Sequence, residues 1–334
     1  MGYIRLPGTM GHSGGKLIYS NNPEAINKYH IGYPLRNAGK YTIGTTVSKG
    51  EVVNFEYYHA NYTGGPLQIA VAVINNTGKP VAFKVSREGK ATGNVTTTST
   101  INIAAKCNAA FYNSSARWDT INNQQTFLLA SSGPLNDKEM ANGKVEISPI
   151  DGSLSVRIIF YDPNKTTQTS AASFDRATDD GKLRTTAMFK YNHRSISLIL
   201  QTFKTSPFYY FLQMRFPNWK TLNKGEYPQS HLDAIAGVDG IGTQQMNDAG
   251  TVILDTRWLV IGNYGIIYDL SYPVVWSKIQ FSKATNNAGT IMTRVNNGTW
   301  YAKALPFTYD ASTTSLLQII LIGGNSGDLS MKIL

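Results

Sequence analysis

The sequence predicts an all-β protein, and three observations carry that expectation. The 334 residues include 27 Asn, 32 Thr, 30 Gly and 19 Tyr while only 16% are charged, so strand-favouring and turn-favouring side chains dominate. Apolar runs are short, and nearly all are bounded by Gly, Asn, Asp or Pro. None keeps helical spacing over the roughly 10 to 12 residues that a helix requires. Within the all-β class, composition fits a β-helix or solenoid-like core with long aromatic-rich loops and a pair of β-sandwiches equally well. The length admits one long body or two domains. No composition shift marks a boundary and no repeat of 20 to 50 residues is visible, so residues 1–334 are expected to form a single β-rich domain.

From the start, Met1-Gly2 stands before an extended segment ending at Pro7 and reads as an expression start placed ahead of a domain excised from a larger surface protein. Gly11-His12-Ser13-Gly14-Gly15 matches the G-x-S-x-G pattern of a nucleophile elbow. An elbow needs a helix after the serine, whereas residues 16–20 are strand-like, so a Gly/Ser turn is the better account. After a strand at 41–46, residues 51–58 alternate with Val53, Phe55 and Tyr57 on one face. HANYTGGP turns, 67–75 follows, NTGKP turns and 81–87 returns, which reads as a meander. Further strands are expected at 126–130, 153–161, 184–190, 195–202, 251–254, 257–261, 264–270, 273–280, 300–304 and 315–321. Residues 95–100 and 164–173, rich in Thr and Ser, read as strand edges or surface loops. Short helices are expected near 137–141 and 232–236.

The net charge is +10. Residues 1–100 carry ten basic against four acidic side chains, 101–200 eleven against nine, and 201–334 ten against eight. Without a basic strip, the excess reads as a solvated surface and argues against nucleic acid as a partner. A lone cysteine, Cys107, excludes an internal disulfide and a cysteine zinc site and reads as a small buried hydrophobe. No apolar run approaches the roughly 18 residues that span a bilayer, so no membrane insertion is expected.

Chemistry-bearing patterns are sparse. His12, His30, His59, His193 and His231 form no H-x-H or H-x-x-x-H pair. Asp175, Asp179 and Asp180 beside Gly181 loosely resemble a calcium loop without the spacing of an EF-hand. Asp175, Asp233, Asp239 and Asp255 could serve a glycosidase or lyase if a pair converged. Phosphate-loop and dinucleotide fingerprints are absent, so neither a cofactor nor a metal is expected. Six N-x-S/T triplets, at Asn61, Asn75, Asn94, Asn113, Asn164 and Asn297, are of the number that Asn and Thr abundance produces by chance.

Aromatics are the conspicuous resource. Residues 203–227 contain Phe203, Phe208, Tyr209, Tyr210, Phe211, Phe216, Trp219 and Tyr227, the last two beyond Pro217 on a segment unsuited to a strand. Residues 258–276 form a second cluster, with Tyr264, Tyr268 and Tyr272 between Trp258 and Trp276, and smaller groups stand at Trp300-Tyr301 and Trp118. A pyranose offers an apolar face and a rim of hydroxyls, which aromatic rings and amides bind together. Side-by-side strands would space such rings about 9.6 Å apart on alternate strands, near the disaccharide repeat of a β-1,4-glucan.

The strand-loop units IYSNNPE (18–24), FEYYHANYTGGPLQIAVAVINNTG (55–78) and RWLVIGNYGIIYDL (257–270) resemble the C-terminal half of the tapirins, surface adhesins of cellulose-degrading bacteria. They are also similar to domains attached to copper-amine-oxidase-like repeats in secreted bacterial proteins. The tapirin resemblance implies a β-helix-type core, no catalysis, an extracellular location on the bacterial surface, and cellulose or a related glucan as the polysaccharide partner. From the residues themselves, Trp219, Tyr227, Tyr209, Phe216, Tyr272 and Trp276 are the expected stacking surface. The rival readings are a β-helical polysaccharide lyase or glycoside hydrolase, and a structural cell-envelope module that binds protein or wall polymer.

Overall fold

Strands fill the intervals that Gly, Asn and Pro mark off in the sequence. A computed structural model of the chain describes residues 8–31, 39–177, 186–198, 210–213, 245–246, 264–271, 278–283, 289–323 and 329–334. These fall into two compact units, one holding residues 15–180 with 185–188, the other holding 1–14, 181–184 and 189–334. The expected helix at 232–236 and the strands at 251–254 and 257–261 lie outside the described residues.

After β1 (Gly8–Ser13), the unit of residues 15–180 contains β2 (Lys16–Ser20), β3 (Ala25–Asn27), β4 (Gly39–Val47), β5 (Val53–Tyr62), β6 (Leu67–Ile74) and β7 (Val81–Asn94). Helix α1 (Thr97–Asn113) follows, then β8 (Arg117–Ile121), β9 (Thr126–Leu129), β10 (Pro134–Leu135), β11 (Glu139–Pro149) and β12 (Leu154–Tyr161). β13 (Asp175–Arg176) and β14 (Thr186–Phe189) close it. One sheet has the order β10-β6-β12-β4-β13 with β9 also on β6, and the other runs β14-β2-β5-β11-β7-β8 with β3 also on β5. The two sheets face each other. Tyr57 Oη on β5 lies 3.3 Å from Ile69 O and 2.5 Å from Ala130 O, and Ser20 Oγ on β2 lies 2.6 Å from Thr42 Oγ1 on β4. Alternate residues of each sheet, among them Val53, Phe55, Val71, Val73, Phe83, Val145 and Ile158, fill the layer between and are fully buried.

This arrangement corrects several expectations. The three strands read as a meander do not share a sheet, because β5 and β7 lie in one and β6 in the other. The solenoid expectation is not met either. A β-helix stacks parallel strands from successive coils, whereas most pairings here are antiparallel, the parallel ones being those of β2, β3 and β13 and, in the other unit, of His193–Ser197 on Ile267–Ser271. Residues 97–100, read as part of a strand edge or loop, begin α1, whose buried Ile103, Ala104, Cys107, Asn108 and Phe111 recur at helical spacing. The short helix expected at 137–141 is a turn entering β11.

α1 lies against the outer face of β7 and β11, and a glycine permits the approach. A Cβ on Gly89 of β7 would fall 2.3 Å from Phe111 N and 2.5 Å from Cys107 O. Cys107 is buried there as expected, its thiol pushed up by burial. Beneath the helix, Lys144 of β11 stands opposite Glu56 of β5. Lys144 Nζ lies 3.0 Å from Glu56 Oε2 and donates to Asn108 Oδ1 at 3.3 Å. Its ammonium also sits 5.1 Å from the Phe111 ring centroid and 5.5 Å from that of Tyr112. Burial opposes a charge on Lys144, but the Glu56 carboxylate outweighs it and holds the amine above its ordinary range.

The ends of this unit carry a duplicated arch. Asn61-Tyr62-Thr63-Gly64-Gly65-Pro66 links β5 to β6, and Asn75-Asn76-Thr77-Gly78-Lys79-Pro80 links β6 to β7. Asn61 Nδ2 donates to Gly65 O and Leu135 O, while Asn75 Nδ2 donates to Lys79 O and Ile121 O. Each Asn Oδ1 accepts from the backbone N–H and the hydroxyl of the Thr two residues on. Each first glycine takes positive φ, +77° at Gly64 and +86° at Gly78, and donates its N–H to a side chain of the facing turn, Asp137 or Asn123. Two of the six N-x-T triplets are therefore buried structural caps rather than chance occurrences.

A neutral polar network spans the sheets. His59, fully buried, has Nδ1 2.7 Å from Pro23 O and Nε2 2.9 Å from Ser20 Oγ. Since Nδ1 donates to the carbonyl, Nε2 accepts from the serine, and burial lowers the ring to about 4.

In the other unit, β1 is followed by β15 (His193–Leu198), β16 (Tyr210–Gln213), β17 (Gln245–Met246), β18 (Ile267–Ser271), β19 (Lys278–Lys283) and β20 (Gly289–Val295). Then come β21 (Tyr301–Leu305), β22 (Phe307–Asp310), β23 (Leu316–Leu321) and β24 (Leu329–Ile333). A six-stranded sheet runs β1-β15-β18-β23-β20-β21 and a four-stranded one β16-β24-β19-β22. Tyr268, Leu270, Leu317, Ile319 and Ile291 share one buried face of the former. The Gly11-His12-Ser13 part of the elbow pattern lies within β1 and Gly14 turns at φ +84° before β2, so no helix follows the serine.

Asn61→Ala and Asn75→Ala should each destabilise the protein by about 2–3 kcal/mol in urea titration, because each strands two carbonyls that the amide now satisfies. Asn164→Ala, at an exposed triplet, should stay within about 0.5 kcal/mol. His59 titrates near 6.5 unfolded and about 4 folded, so only the unfolded chain gains its proton as pH falls through that window. Stability should therefore drop between pH 6.5 and 4, by about 2 kcal/mol from this group at pH 5, and His59→Gln should flatten that part of the urea-midpoint profile.

Candidate functional site

All six rings selected from the sequence, Trp219, Tyr227, Tyr209, Phe216, Tyr272 and Trp276, lie outside the described residues. The described rings divide between interior and surface. Tyr19, Tyr57, Tyr58, Tyr268 and Trp300 are buried, whereas Tyr29, Tyr62, Trp118 and Tyr301 are exposed. Three of these exposed rings stand on strands, which hold a ring at a fixed angle: Tyr62 at the end of β5, Trp118 within β8 and Tyr301 at the start of β21.

Tyr301, 58% exposed, opens β21 and lines a cavity of about 370 Å³. One wall comes from β20 and β21, with Thr293 paired to Tyr301, and the other from Phe307, Tyr309 and Asp310 of β22. That volume is of the size that takes a small ligand or one or two sugar rings. Its rims carry complementary groups. Lys303 Nζ sits 5.7 Å from the Tyr301 centroid, and Tyr309 Oη is hydrogen-bonded to Thr314 Oγ1. Asp310 accepts from Ser312 Oγ at 2.6 Å and Ser312 N at 2.9 Å, which lowers its carboxyl below the usual range and keeps it an acceptor. The wall rings supply apolar faces while Lys303, Thr308 and Asp310 supply donors and acceptors.

Trp118, 66% exposed, occupies the outer face of β8 in the other unit. Its cross-strand partner is Lys84, whose ammonium lies 5.5 Å from the indole centroid. Ser148 continues the row across β11, and Thr120, Ala82 and the exposed Ile150 share the face. This face mixes polar and apolar side chains, with one large ring at its margin.

A different constellation crosses the six-stranded sheet. His193 Nδ1 lies 3.1 Å from Asp269 Oδ2, and Asp269 Oδ1 accepts from Gln318 Nε2 at 2.5 Å. Gln318 accepts in turn from Arg294 Nε, and the Arg294 guanidinium stands 4.9 Å from the Trp300 centroid. A carboxylate fixed from two sides orients the imidazole and leaves Nε2 as its basic nitrogen. His12, which shows no histidine partner in the sequence, accepts from Arg194 Nη1 at 2.7 Å; burial and that guanidinium lower it to about 4.

Asp175, the described member of the loose calcium loop, is largely exposed and pairs with Lys40 at 3.2 Å, while Asp179 and Asp180 lie outside the described residues. Asp233, Asp239 and Asp255 lie outside them as well. Among the described residues no group of three or more His, Cys, Asp or Glu could hold a metal ion, and no helix is long and apolar enough to cross a membrane.

In the sequence Trp118 stands alone and Trp300-Tyr301 is a smaller aromatic group than those of residues 203–227 and 258–276. What distinguishes Trp118 and Tyr301 is placement on a terminal strand of a sheet, and strand order is not legible from one sequence. The His193–Asp269 pair is 76 residues apart in the chain, with no local signal. No protein-family model and no curated protein matches this chain.

Proposed function

We propose that this chain is a non-catalytic adhesion module that holds cellulose or a related plant-cell-wall polysaccharide by aromatic stacking, outside the cell on a bacterial surface. The observation that carries the reading is the Tyr301 cavity, where exposed and wall-forming rings stand beside Lys303, Thr308 and Asp310 in a space fit for a sugar. The tapirin resemblance and the abundance of rings and amides support it, and the exposed Trp118 adds a second contact. Trp219, Tyr227, Tyr209, Phe216, Tyr272 and Trp276 remain part of the proposed stacking surface.

Affinity for cello-oligosaccharides and retention on microcrystalline cellulose test this directly. Tyr301→Ala should weaken oligosaccharide binding roughly 5-fold, the equivalent of about 1 kcal/mol for one lost stacking contact. Trp118→Ala should reduce retention on the solid, with folding verified by circular dichroism. Retention that survives high salt supports stacking, and release by salt supports the cell-envelope module that binds wall polymer by charge. Unchanged binding by both variants removes these two rings from the site.

The His193–Asp269 pair favours a second reading, a polysaccharide lyase or hydrolase in which His193 Nε2 moves a proton. Incubation with pectins and glucans should yield no new reducing ends or unsaturated products if the adhesin reading holds. Turnover that disappears in His193→Ala would replace it.

A further inference from the structure

Lys144, Glu56 and Asn108 bring an amine, a carboxylate and a primary carboxamide together with almost no access to water, their side chains being 2%, 0% and 0% exposed. The amine reaches both partners at once, 3.0 Å from Glu56 Oε2 and 3.3 Å from Asn108 Oδ1. Asn108 is held in position from the other side, since Nδ2 donates to Ala104 O at 3.0 Å within α1. Glu56 Oε1 has no hydrogen-bond partner among the described residues. The Phe111 and Tyr112 rings close over the amine.

An ion pair in such a place is costly, because each charge has lost its hydration and the carboxylate gains no hydrogen bond at Oε1 in exchange. Moving one proton from Nζ to the carboxylate discharges both groups. It also converts an inert ammonium into a nucleophile beside a fixed carbonyl, where proximity replaces a bimolecular encounter.

We propose that Lys144 and Asn108 join through an intramolecular amide bond, formed without any other enzyme and with Glu56 as the proton carrier. The Lys144 Nζ lone pair attacks Asn108 Cγ, forming the Nζ–Cγ bond and a tetrahedral intermediate. Glu56 takes a proton from Nζ and delivers one to Nδ2, the Cγ–Nδ2 bond breaks, and ammonia leaves. The net change is one ammonium and one carboxamide converted to a secondary amide and an ammonium ion, with no oxidant, cofactor or external reactant. The cross-link ties β11 to α1 and closes a covalent loop from residue 108 to residue 144. It is independent of the sugar-binding reading, since none of its three residues touches the proposed ligand surfaces.

Intact mass of the purified, denatured protein reads the outcome. The expected value is the sequence mass less one ammonia, with proteolysis yielding a branched peptide that joins Lys144 to Asn108 and resists cleavage after Lys144. Glu56→Gln keeps the side-chain shape, removes the proton carrier, and should restore the full sequence mass together with cleavage after Lys144. Lys144→Met and Asn108→Ala should do the same. The wild-type mass decides even if these variants fail to fold: a full sequence mass, or an ammonia loss mapped to any other asparagine, overturns the proposal.

Discussion

The carboxylate of Glu56 beneath α1 is the constraint on which the larger sheet of the unit of residues 15–180 depends. A charge placed on a central strand demands a counter-charge within reach, and Lys144 on the neighbouring strand β11 supplies it in direct register. The helix must then cover both, and it comes close enough only because Gly89 leaves room for the backbone at Phe111 and Cys107. Replacing one partner alone would leave the other buried and uncompensated, the costly case for ionic interiors. The pair therefore sits where β5, β11 and α1 meet, and the register of β5 on β11 brings its two members together.

That same pair explains why the middle of the chain is the least legible. β11 reads Glu139-Met-Ala-Asn-Gly-Lys-Val-Glu-Ile, and Asn-Gly-Lys between short apolar residues is the signature of a hairpin turn. It is instead the centre of a sheet. Gly143 is there because a Cβ would fall 2.3 Å from the Tyr57 ring, Asn142 donates to Tyr57 O at 2.5 Å, and Lys144 answers Glu56. Each residue that looks like a turn answers a residue almost ninety positions earlier, Asn142 and Gly143 answering Tyr57 and Lys144 answering Glu56. α1 was hidden by a related effect, as its Thr-rich start disfavours a helix locally and Asn108 interrupts an otherwise regular apolar face.

Where packing is local, the sequence was informative. The apolar intervals at 16–20, 67–75, 153–161 and 315–321 are strands to within a residue or so, since Asn, Gly and Pro act at the position they occupy. The two arches were equally legible in principle. N-x-T-G-x-P occurs twice at a spacing of 14 residues, too short for a repeat of whole structural units and therefore easily discounted. The facing turns repeat the pattern, with Lys138 and Gln124 both at positive φ and donating their N–H groups to Asn61 O and Asn75 O. Function was less legible than fold, because ring content can be counted from a sequence whereas ring exposure depends on which strand ends a sheet.

Strand position bears on the proposed surface in one more way. Trp118 lies on β8 and Tyr301 on β21, each the last strand in its sheet among the described strands. A terminal strand presents unpaired backbone groups and risks pairing with another chain, and lysines beside it are a common safeguard. Both rings have such a neighbour, Lys84 across the strand pair and Lys303 two residues on, each within 6 Å of the ring. The ammonium polarises the ring's face and discourages edge-to-edge association while leaving the indole or phenol accessible from the side. A glycan chain laid along that margin would meet a ring for its apolar face and backbone groups for its hydroxyls, so the features that keep these sheets from self-pairing are compatible with their holding a neutral polymer.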